Sequence, residues 1–135
     1  MSPVTMMTER KTVMMNERDQ RDNSNEDDAY NLLPESLEKT LPALYATEKT
    51  SNEKKIIYAK FFAPNTCWTW FVLEGSWSED HEDYIFFGLV DGFEKEYGYF
   101  SLNELESVGV SDSLCLRIER DLYFTPTLLS NITRK

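Results

Sequence analysis

Carboxylates are the side chains with the greatest potential for chemistry in this chain, and they are concentrated in one segment. Between Glu74 and Glu106 the sequence has ten acidic residues and a single lysine or arginine, Lys95. Side chains of this type can hold a metal ion, exchange protons with a substrate, or bind a positively charged surface. The acidic residues of the segment are Glu74, Glu79, Asp80, Glu82, Asp83, Asp91, Glu94, Glu96, Glu104 and Glu106.

Two of these carboxylates have a spacing that acid–base catalysis could use. Glu94 and Glu96 share a face if their segment is extended, with Cα atoms roughly 7 Å apart. Catalysis by paired carboxyl groups needs unlike environments that separate their pKa values, whereas both of these are expected to face water. The one histidine, His81, lies among carboxylates, and the sequence has no nucleophile motif and no phosphate-binding glycine loop. The sequence therefore predicts no catalytic residue and no cofactor.

A metal site is the second chemistry that the acidic segment could support. The run Ser78–Asp83 offers oxygen ligands and an imidazole, but it lacks the glycine-punctuated register of a calcium loop. Zinc spacing is missing as well, since the chain has two cysteines, Cys67 and Cys115, and no Cys-x-x-Cys pair. We expect no bound metal, and we expect both cysteines to be buried free thiols.

Charge-based binding is the third chemistry. The net charge of −10 opposes direct binding to nucleic-acid phosphates and to anionic membranes, and it favours a basic protein partner. The acidic side chains form either an ordinary solvated surface or a surface that imitates the charge of a nucleic-acid backbone. The candidate partner-binding residues are Glu79, Asp80, Glu82, Asp83, Asp91, Glu94 and Glu96.

Aromatic residues and one arginine complete the set of candidates. The aromatic residues form either the core of a sheet or an exposed face for dimerisation or partner binding; they are Trp68, Trp70, Phe71, Tyr84, Phe86 and Phe87. Arg120 alternates with Ile118 and Leu122, which predicts that it points inward and pairs with Glu94 or Glu96. The alternative is a pocket near Arg120 that binds an anion or another small ligand.

The elements that position these residues follow from changes in hydrophobic period. Residues 1–29 are mostly polar and predict a disordered arm, and residues 30–135 predict one domain. Helices are expected near Leu32–Leu41, over Ser101–Val108 after a capping-box sequence and before Gly109, and near Pro126–Ile132. Strands are expected at Ile56–Phe62, Cys67–Glu74, Tyr84–Val90 and Ile118–Phe124, with an acidic loop at Gly75–Asp83. Asp91–Gly92 predicts a tight hairpin turn that leads into Phe93–Tyr97, and Gly98–Phe100 is a candidate short strand.

Short turns between strands and few helices predict an α+β fold. We expect a mainly antiparallel sheet of four to five strands, with two or three short helices packed on it. On the second strand, Trp68, Trp70 and Val72 should share one face, and Phe71 and Leu73 the other.

Several short sequence motifs follow one another in the same order as in one known group of proteins. They include Leu41–Glu48 (LPALYATE), Tyr58–Phe62 (YAKFF), Trp68–Val72 (WTWFV), Phe86–Gly92 (FFGLVDG), Gly98–Glu106 (GYFSLNELE) and Ile118–Phe124 (IERDLYF). From residue 41 to about residue 128, the chain resembles a family of small domains of unknown function from bacteria, phages and plasmids. The resemblance implies a setting on mobile genetic elements and implies no catalytic residue.

Taken together, these features favour a non-enzymatic, cytoplasmic protein-binding domain of a phage or another mobile element. Its acidic surface would bind a basic protein, and the expected target is a host defence or nucleic-acid-processing complex. Two alternatives stay open. One is a small ligand-binding or hydrolytic domain with a pocket near Arg120 and Tyr99, and the other is a dimeric housekeeping module.

Overall fold

A computed structural model describes residues 27–108 and 117–133 of the chain. In chain order its elements are α1 (Glu35–Thr40), a 3-10 turn (Asn52–Lys54), β1 (Ile56–Ile57), β2 (Ala59–Phe62), β3 (Thr69–Ser78), β4 (Asp83–Asp91), β5 (Lys95–Ser101), α2 (Leu102–Ser107), β6 (Glu119–Arg120), β7 (Thr127–Leu128) and α3 (Leu129–Thr133). Most of the predicted arm lies outside the described residues, as do Gly109 and Cys115. The boundary between arm and domain stays a prediction.

The strands form one large and one small antiparallel sheet. The large sheet has five strands in the order β5-β4-β3-β2-β6, and β1 pairs with β7 in a two-stranded sheet. Three short α-helices accompany these sheets in the described part of the chain. The predicted α+β fold, with a mainly antiparallel sheet, is therefore confirmed.

The large sheet carries a hydrophobic core on each face, because apolar residues occupy both faces of its inner strands. The first core includes Phe61, Val72, Phe86 and Phe100, with Leu105 of α2 against them. The second core consists of Ile57, Phe71, Leu73, Leu89 and Leu129, the last supplied by α3. Val72 and Phe71 are neighbours in sequence and lie in different cores, as their alternation predicts.

The boundaries of several strands differ from those expected. The segment Ile56–Phe62 is divided at Tyr58, so that β1 joins the small sheet and β2 the large one. The segment Gly75–Asp83 is not a loop, since β3 continues to Ser78 and pairs with β4 as far as Asp83. Only the four residues between these strands form the turn, because cross-strand pairs such as Trp77 with Tyr84 extend the ladder.

The last predicted strand is reduced to two residues, Glu119–Arg120. The chain turns away directly after them, because the Asp121 side chain accepts a hydrogen bond from the backbone N–H of Tyr123 at 3.0 Å. Aspartate commonly stabilises a turn by this kind of local bond.

A β-bulge in β3 sets the direction of the next two side chains. The register between β3 and β4 shifts between Val72, which pairs with Gly88, and Glu74, which pairs with Phe87. Leu73 is the extra residue, so Glu74 faces the same side of the sheet as Leu73 rather than the side of Val72. Without the bulge the Glu74 carboxylate would enter the first core.

Gly88 permits the close approach of the strands at this bulge. A Cβ atom at Gly88 would lie 1.9 Å from the carbonyl oxygen of Phe71, which is a backbone atom and cannot rotate away. Gly98 pairs with Gly88 across the next strand, and a Cβ there would have no atom within 4 Å.

Helix α2 begins with the predicted capping box. The Ser101 hydroxyl accepts the backbone N–H of Glu104 at 3.1 Å, and the Glu104 carboxylate accepts the backbone N–H of Ser101 at 3.2 Å. Both bonds satisfy N–H groups that the first helical turn leaves without an intrahelical partner. The predicted start of this helix is confirmed.

The first prediction compares the two paired glycines. Gly88→Ala should lower the free energy of unfolding by about 3 kcal/mol or more, because the new methyl group displaces the backbone of β3. Gly98→Ala is the matched control and should change stability by less than about 0.5 kcal/mol. Urea denaturation followed by circular dichroism measures both values. Equal effects of the two substitutions would contradict the described bulge.

The second prediction concerns the capping box. Ser101→Ala should lower the free energy of unfolding by about 1 kcal/mol, since the Glu104 N–H loses its acceptor. Glu104→Gln keeps an oxygen acceptor at the same place and should have a much smaller effect. Chemical denaturation of the three proteins measures the difference, and an unchanged stability for Ser101→Ala would show that the cap is not formed.

Candidate functional site

The predicted acidic residues fall into two separate groups in the structure. Glu79, Asp80 and Glu82 belong to the turn between β3 and β4, whereas Asp91, Glu94 and Glu96 surround the turn between β4 and β5. Strand β4 spans nine residues between these turns, which places the two groups roughly 27 Å apart. The structure therefore does not bring the seven candidate residues into one surface.

Asp83 differs from the other candidates because it is buried. Only 8% of the Asp83 surface is exposed to solvent. It accepts the backbone N–H groups of Tyr84 at 2.8 Å and of Asn103 at 3.1 Å. Asn103 is in the first turn of α2, where a carboxylate also interacts favourably with the helix dipole. Asp83 thus connects the start of α2 to the sheet.

The turn between β3 and β4 is exposed and polar. His81 lies on the surface, and its Nδ1 is 2.9 Å from the Ser78 hydroxyl oxygen. Glu82 has a positive φ of 51°, a conformation that suits a tight turn. Within residues 27–108 and 117–133, no three His, Cys, Asp or Glu side chains converge on a metal position.

The other acidic turn borders a pocket of about 430 Å³, here called the acidic aromatic pocket. Its lining residues are Trp68, Val90, Phe93, Glu94, Glu96, Tyr97 and Gly98. These residues include two carboxylates and no lysine or arginine, although Lys95 lies between them in sequence. The pocket therefore combines aromatic surface with negative charge.

Aromatic stacking fixes the wall of this pocket. The Trp68 ring lies against Gly92, where a Cβ atom would come within 2.3 Å of it. Trp68 also stacks on Trp70 at 6.0 Å and meets Phe93 edge to face at 5.4 Å. Phe93 is nevertheless 90% exposed, so the structure presents a large apolar ring to solvent beside carboxylates.

Cys67, next to this wall, is exposed rather than buried. The prediction of a buried thiol is wrong for Cys67 because it lies in the turn before β3, where its Sγ is 3.8 Å from the Gly92 carbonyl oxygen.

A second pocket, of about 470 Å³, lies on the face of the second core. It is here called the tyrosine pocket, and it is lined by Tyr45, Glu48, Thr50, Asn52, Lys55, Leu73, Glu74, Phe87, Tyr97 and Tyr99. The loop between α1 and β1 forms one side, and strands β3, β4 and β5 form its base. The predicted pocket combined Tyr99 with Arg120, but these two residues line different pockets, and the Tyr45 loop was not expected to take part.

Glu74 holds the loop that forms the pocket. It is 4% exposed, and its carboxylate accepts the backbone N–H groups of Tyr45 at 2.7 Å and Thr47 at 3.0 Å, together with the Thr47 hydroxyl. The Ser76 hydroxyl, on the same face, accepts the N–H of Leu44 at 2.9 Å. A carboxylate taken out of water is stabilised when donors of this kind satisfy it.

Tyr45 has a backbone conformation that is rare for a bulky residue. Its φ of 72° is left-handed, which is sterically unfavourable for residues other than glycine. The bonds to Glu74 retain this conformation, and the Lys55 Nζ supports the next turn by donating to the Thr47 carbonyl oxygen at 2.5 Å. As a result the Tyr45 ring extends over the sheet and stays 62% exposed.

Four aromatic rings form a continuous row along the pocket. The centroids of Tyr45 and Tyr99 are 6.3 Å apart, those of Phe87 and Tyr99 5.0 Å, and those of Phe87 and Tyr97 6.3 Å. A hydrogen bond with the Tyr45 side chain raises the pKa of Tyr99, and burial and the negative charges of Glu74 and Glu48 raise it further. The Tyr99 phenol therefore stays protonated, and the carboxylates act on it through their electrostatic field.

Arg120 lies beside a smaller pocket of about 210 Å³. Its Nε donates to the Asn31 carbonyl oxygen at 2.7 Å, and its guanidinium also reaches the Asp28 carbonyl oxygen. The predicted pairing with Glu94 or Glu96 is wrong, because β6 and β5 are opposite edges of the five-stranded sheet.

One sequence signal could have indicated the tyrosine pocket. Glu74 is a carboxylate at the centre of a long apolar strand, and a buried carboxylate needs donors. Strict alternation, however, assigns Glu74 to the face of Val72 and hides its relation to the Tyr45 loop. The bulge at Leu73 breaks this alternation and places Glu74 on the opposite face, next to the Tyr45 loop.

A third prediction tests the role of Glu74. Glu74→Gln retains one oxygen but replaces the other with an amide donor, which opposes the N–H donors of the loop. The free energy of unfolding should fall by about 1–3 kcal/mol. Glu48→Gln, at an exposed position of the same loop, is the control and should change it by less than about 0.5 kcal/mol. Urea denaturation gives both values, and an unaffected Glu74→Gln variant would contradict the anchoring role.

Comparisons with known proteins identify a family for this chain but no activity. No curated protein and no solved structure matches the chain. No helix in the described residues has the length and hydropathy that a membrane crossing requires. The model of one family, described as "Protein of unknown function (DUF2958)", matches residues 32–133, which include every strand and helix described above. The chain therefore belongs to the DUF2958 family.

Proposed function

We propose that this protein is a non-enzymatic binding domain that docks a basic protein at its acidic aromatic pocket. The observation that carries the proposal is the exposed Phe93 ring, packed against Trp68 and flanked by the carboxylates of Glu94 and Glu96. We further propose that the partner is a host defence or nucleic-acid-processing complex, that the protein acts in the cytoplasm, and that it derives from a phage or another mobile element.

The aromatic part of the pocket supports protein binding. Large aromatic residues that are exposed in the free protein, and become buried in a complex, supply most of the affinity in many interfaces. Phe93 has such a position, since its ring is held by an edge-to-face contact with Trp68 while most of its surface faces solvent. Burial of this ring in a complex would therefore remove a large apolar area from water.

The charged part of the pocket supports a basic partner. Asp91 belongs to the same turn and pairs across the strands with Lys95, whereas Glu94 and Glu96 line the pocket, so two carboxylates border its rings. An arginine or lysine side chain placed there would gain a cation–π contact with Trp68 or Tyr97 as well as ion pairs. Negative charge of the whole chain, −10, would accelerate the encounter with such a partner.

The same chemistry supports charge mimicry of a nucleic acid. Proteins that bind phosphate backbones present clustered arginine and lysine side chains, which an acidic surface can occupy in place of the nucleic acid. The resemblance of the chain to domains from phages and plasmids directs the proposal to complexes that act on foreign nucleic acid.

The fourth prediction uses the two separated acidic turns as a matched pair. Glu94→Lys with Glu96→Lys, and Glu79→Lys with Asp80→Lys, change the net charge by the same amount at opposite ends of β4. Tagged forms of both variants and of the unmodified protein would capture basic proteins from host lysate, and binding constants would then be measured on the purified partner at low and high salt. We expect the first variant to lose about ten-fold or more in affinity and the second to lose less than about three-fold.

Two further measurements make this test specific. Phe93→Ala leaves the charge unchanged and should also weaken binding about ten-fold or more. The partner's nucleic acid should compete with this protein for binding. Equal losses for the two charge variants would show that only bulk charge matters, and simultaneous binding of protein and nucleic acid would contradict mimicry.

A further inference from the structure

The tyrosine pocket is a separate place on the molecule from the acidic aromatic pocket. Tyr99 pairs with Phe87 on the face of the second core, whereas Glu96 pairs with Val90 on the face of the first core. The pocket volume of about 470 Å³ is within the range of small-molecule sites. Tyr97 lines both pockets, whereas Tyr45, Tyr99 and Glu74 line only the tyrosine pocket, so a ligand on the Tyr45 and Tyr99 rings can be tested separately from protein binding at Phe93.

The pocket is formed before any ligand arrives. Tyr45 keeps a left-handed backbone, and the buried Glu74 carboxylate holds it through the N–H groups of Tyr45 and Thr47. Unfavourable backbone conformations that persist are concentrated at binding and catalytic sites. Since the rings need not be reordered, binding here would lose little conformational entropy.

The electrostatics of the pocket favour a positive ligand. The faces of aromatic rings carry negative potential, and the carboxylates of Glu48 and Glu74 add negative charge. The one lysine of the lining, Lys55, directs its ammonium group to the carbonyl and hydroxyl oxygens of Thr47. Both carboxylates raise the pKa of Tyr99, in addition to the larger effect of its hydrogen bond with Tyr45, so their negative charge acts at the Tyr99 ring. A phosphate or carboxylate ligand would be repelled by the same field.

We propose that the tyrosine pocket binds a small organic cation, a molecule with an ammonium or guanidinium group that lies on the rings of Tyr45 and Tyr99. The Tyr45–Tyr99 centroid distance of 6.3 Å lets one cationic group contact both rings, because cation–π contacts extend to about 6 Å from a ring centroid. Glu48, exposed on the loop, would pair with the bound charge. Glu74 acts as a positioning residue because its oxygens are engaged with the loop.

The test compares three small-molecule probes with the full chain, two of them cationic and one uncharged. The first probe is choline, the second is N-acetylarginine amide, and the third is 3,3-dimethylbutan-1-ol, the uncharged carbon analogue of choline. Two-dimensional amide NMR would follow the signals of Tyr45, Thr47 and Tyr99 during each titration. We expect choline, the arginine derivative or both to shift these signals with dissociation constants at least about five-fold lower than that of the uncharged alcohol.

The cationic probe with the lower dissociation constant identifies the type of ligand. Preference for choline assigns an ammonium ligand, and preference for the arginine derivative assigns a guanidinium ligand. Equal affinity for the uncharged alcohol would overturn the proposal, as would an absence of shifts at these residues with every probe up to about 50 mM.

Variants then locate the contact. Tyr99→Leu should weaken cation binding about five-fold or more, while Tyr99→Phe, which keeps a ring face, should stay within about two-fold of the unmodified protein. Tyr123→Leu is the control, because Tyr123 is a tyrosine that is 93% exposed and outside the pocket lining. A loss with Tyr123→Leu equal to that with Tyr99→Leu would overturn the assignment to this pocket.

The Glu94→Lys, Glu96→Lys variant should bind the cation normally, so that failure here and failure of the protein-binding proposal can be distinguished.

Discussion

The hydrogen bonds of the Glu74 carboxylate to the loop at Tyr45 are the interaction on which the arrangement of the tyrosine pocket depends. A carboxylate that is 4% exposed is unfavourable unless donors surround it, and the loop supplies two backbone N–H groups and one hydroxyl. The bulge at Leu73 makes this possible, because it turns Glu74 out of the first core. The close strand contact at Gly88 accompanies the bulge. One local irregularity thus determines where an entire loop lies.

Strand β5, at the edge of the sheet, separates two sites of different character. On one face, Glu96 borders an open aromatic surface that includes Phe93, and on the other, Tyr99 borders a pocket closed on one side by the Tyr45 loop. The first surface fits a macromolecular partner, since its principal ring projects into solvent. The second is recessed and preformed, which suits a small ligand. Both sites carry negative charge, so we propose that the same acidic composition serves two kinds of recognition.

Local sequence patterns predicted the local structure well. The capping box at Ser101 and the opposite faces of Phe71 and Val72 depend on neighbours within a few residues, and both are confirmed. Features that depend on distant segments were not predictable in the same way. The bulge places Glu74 on the face opposite to the one that alternation predicts. Pairing with β4 extends β3 into a segment whose polar residues predicted a loop. The pairing of Arg120 likewise depended on strand order, which no single segment of the sequence contains.

The central claim is that Glu74 fixes the loop through the amides of Tyr45 and Thr47, and hydrogen exchange of these two amides in the unmodified full chain tests it most directly. Tyr45 is exposed and Thr47 is half-buried in a surface loop, where amides without acceptors exchange rapidly. The account predicts that the Tyr45 and Thr47 amides are protected at least about a hundred-fold relative to an unstructured peptide. Exchange of both amides at the rate of an unstructured peptide would contradict it.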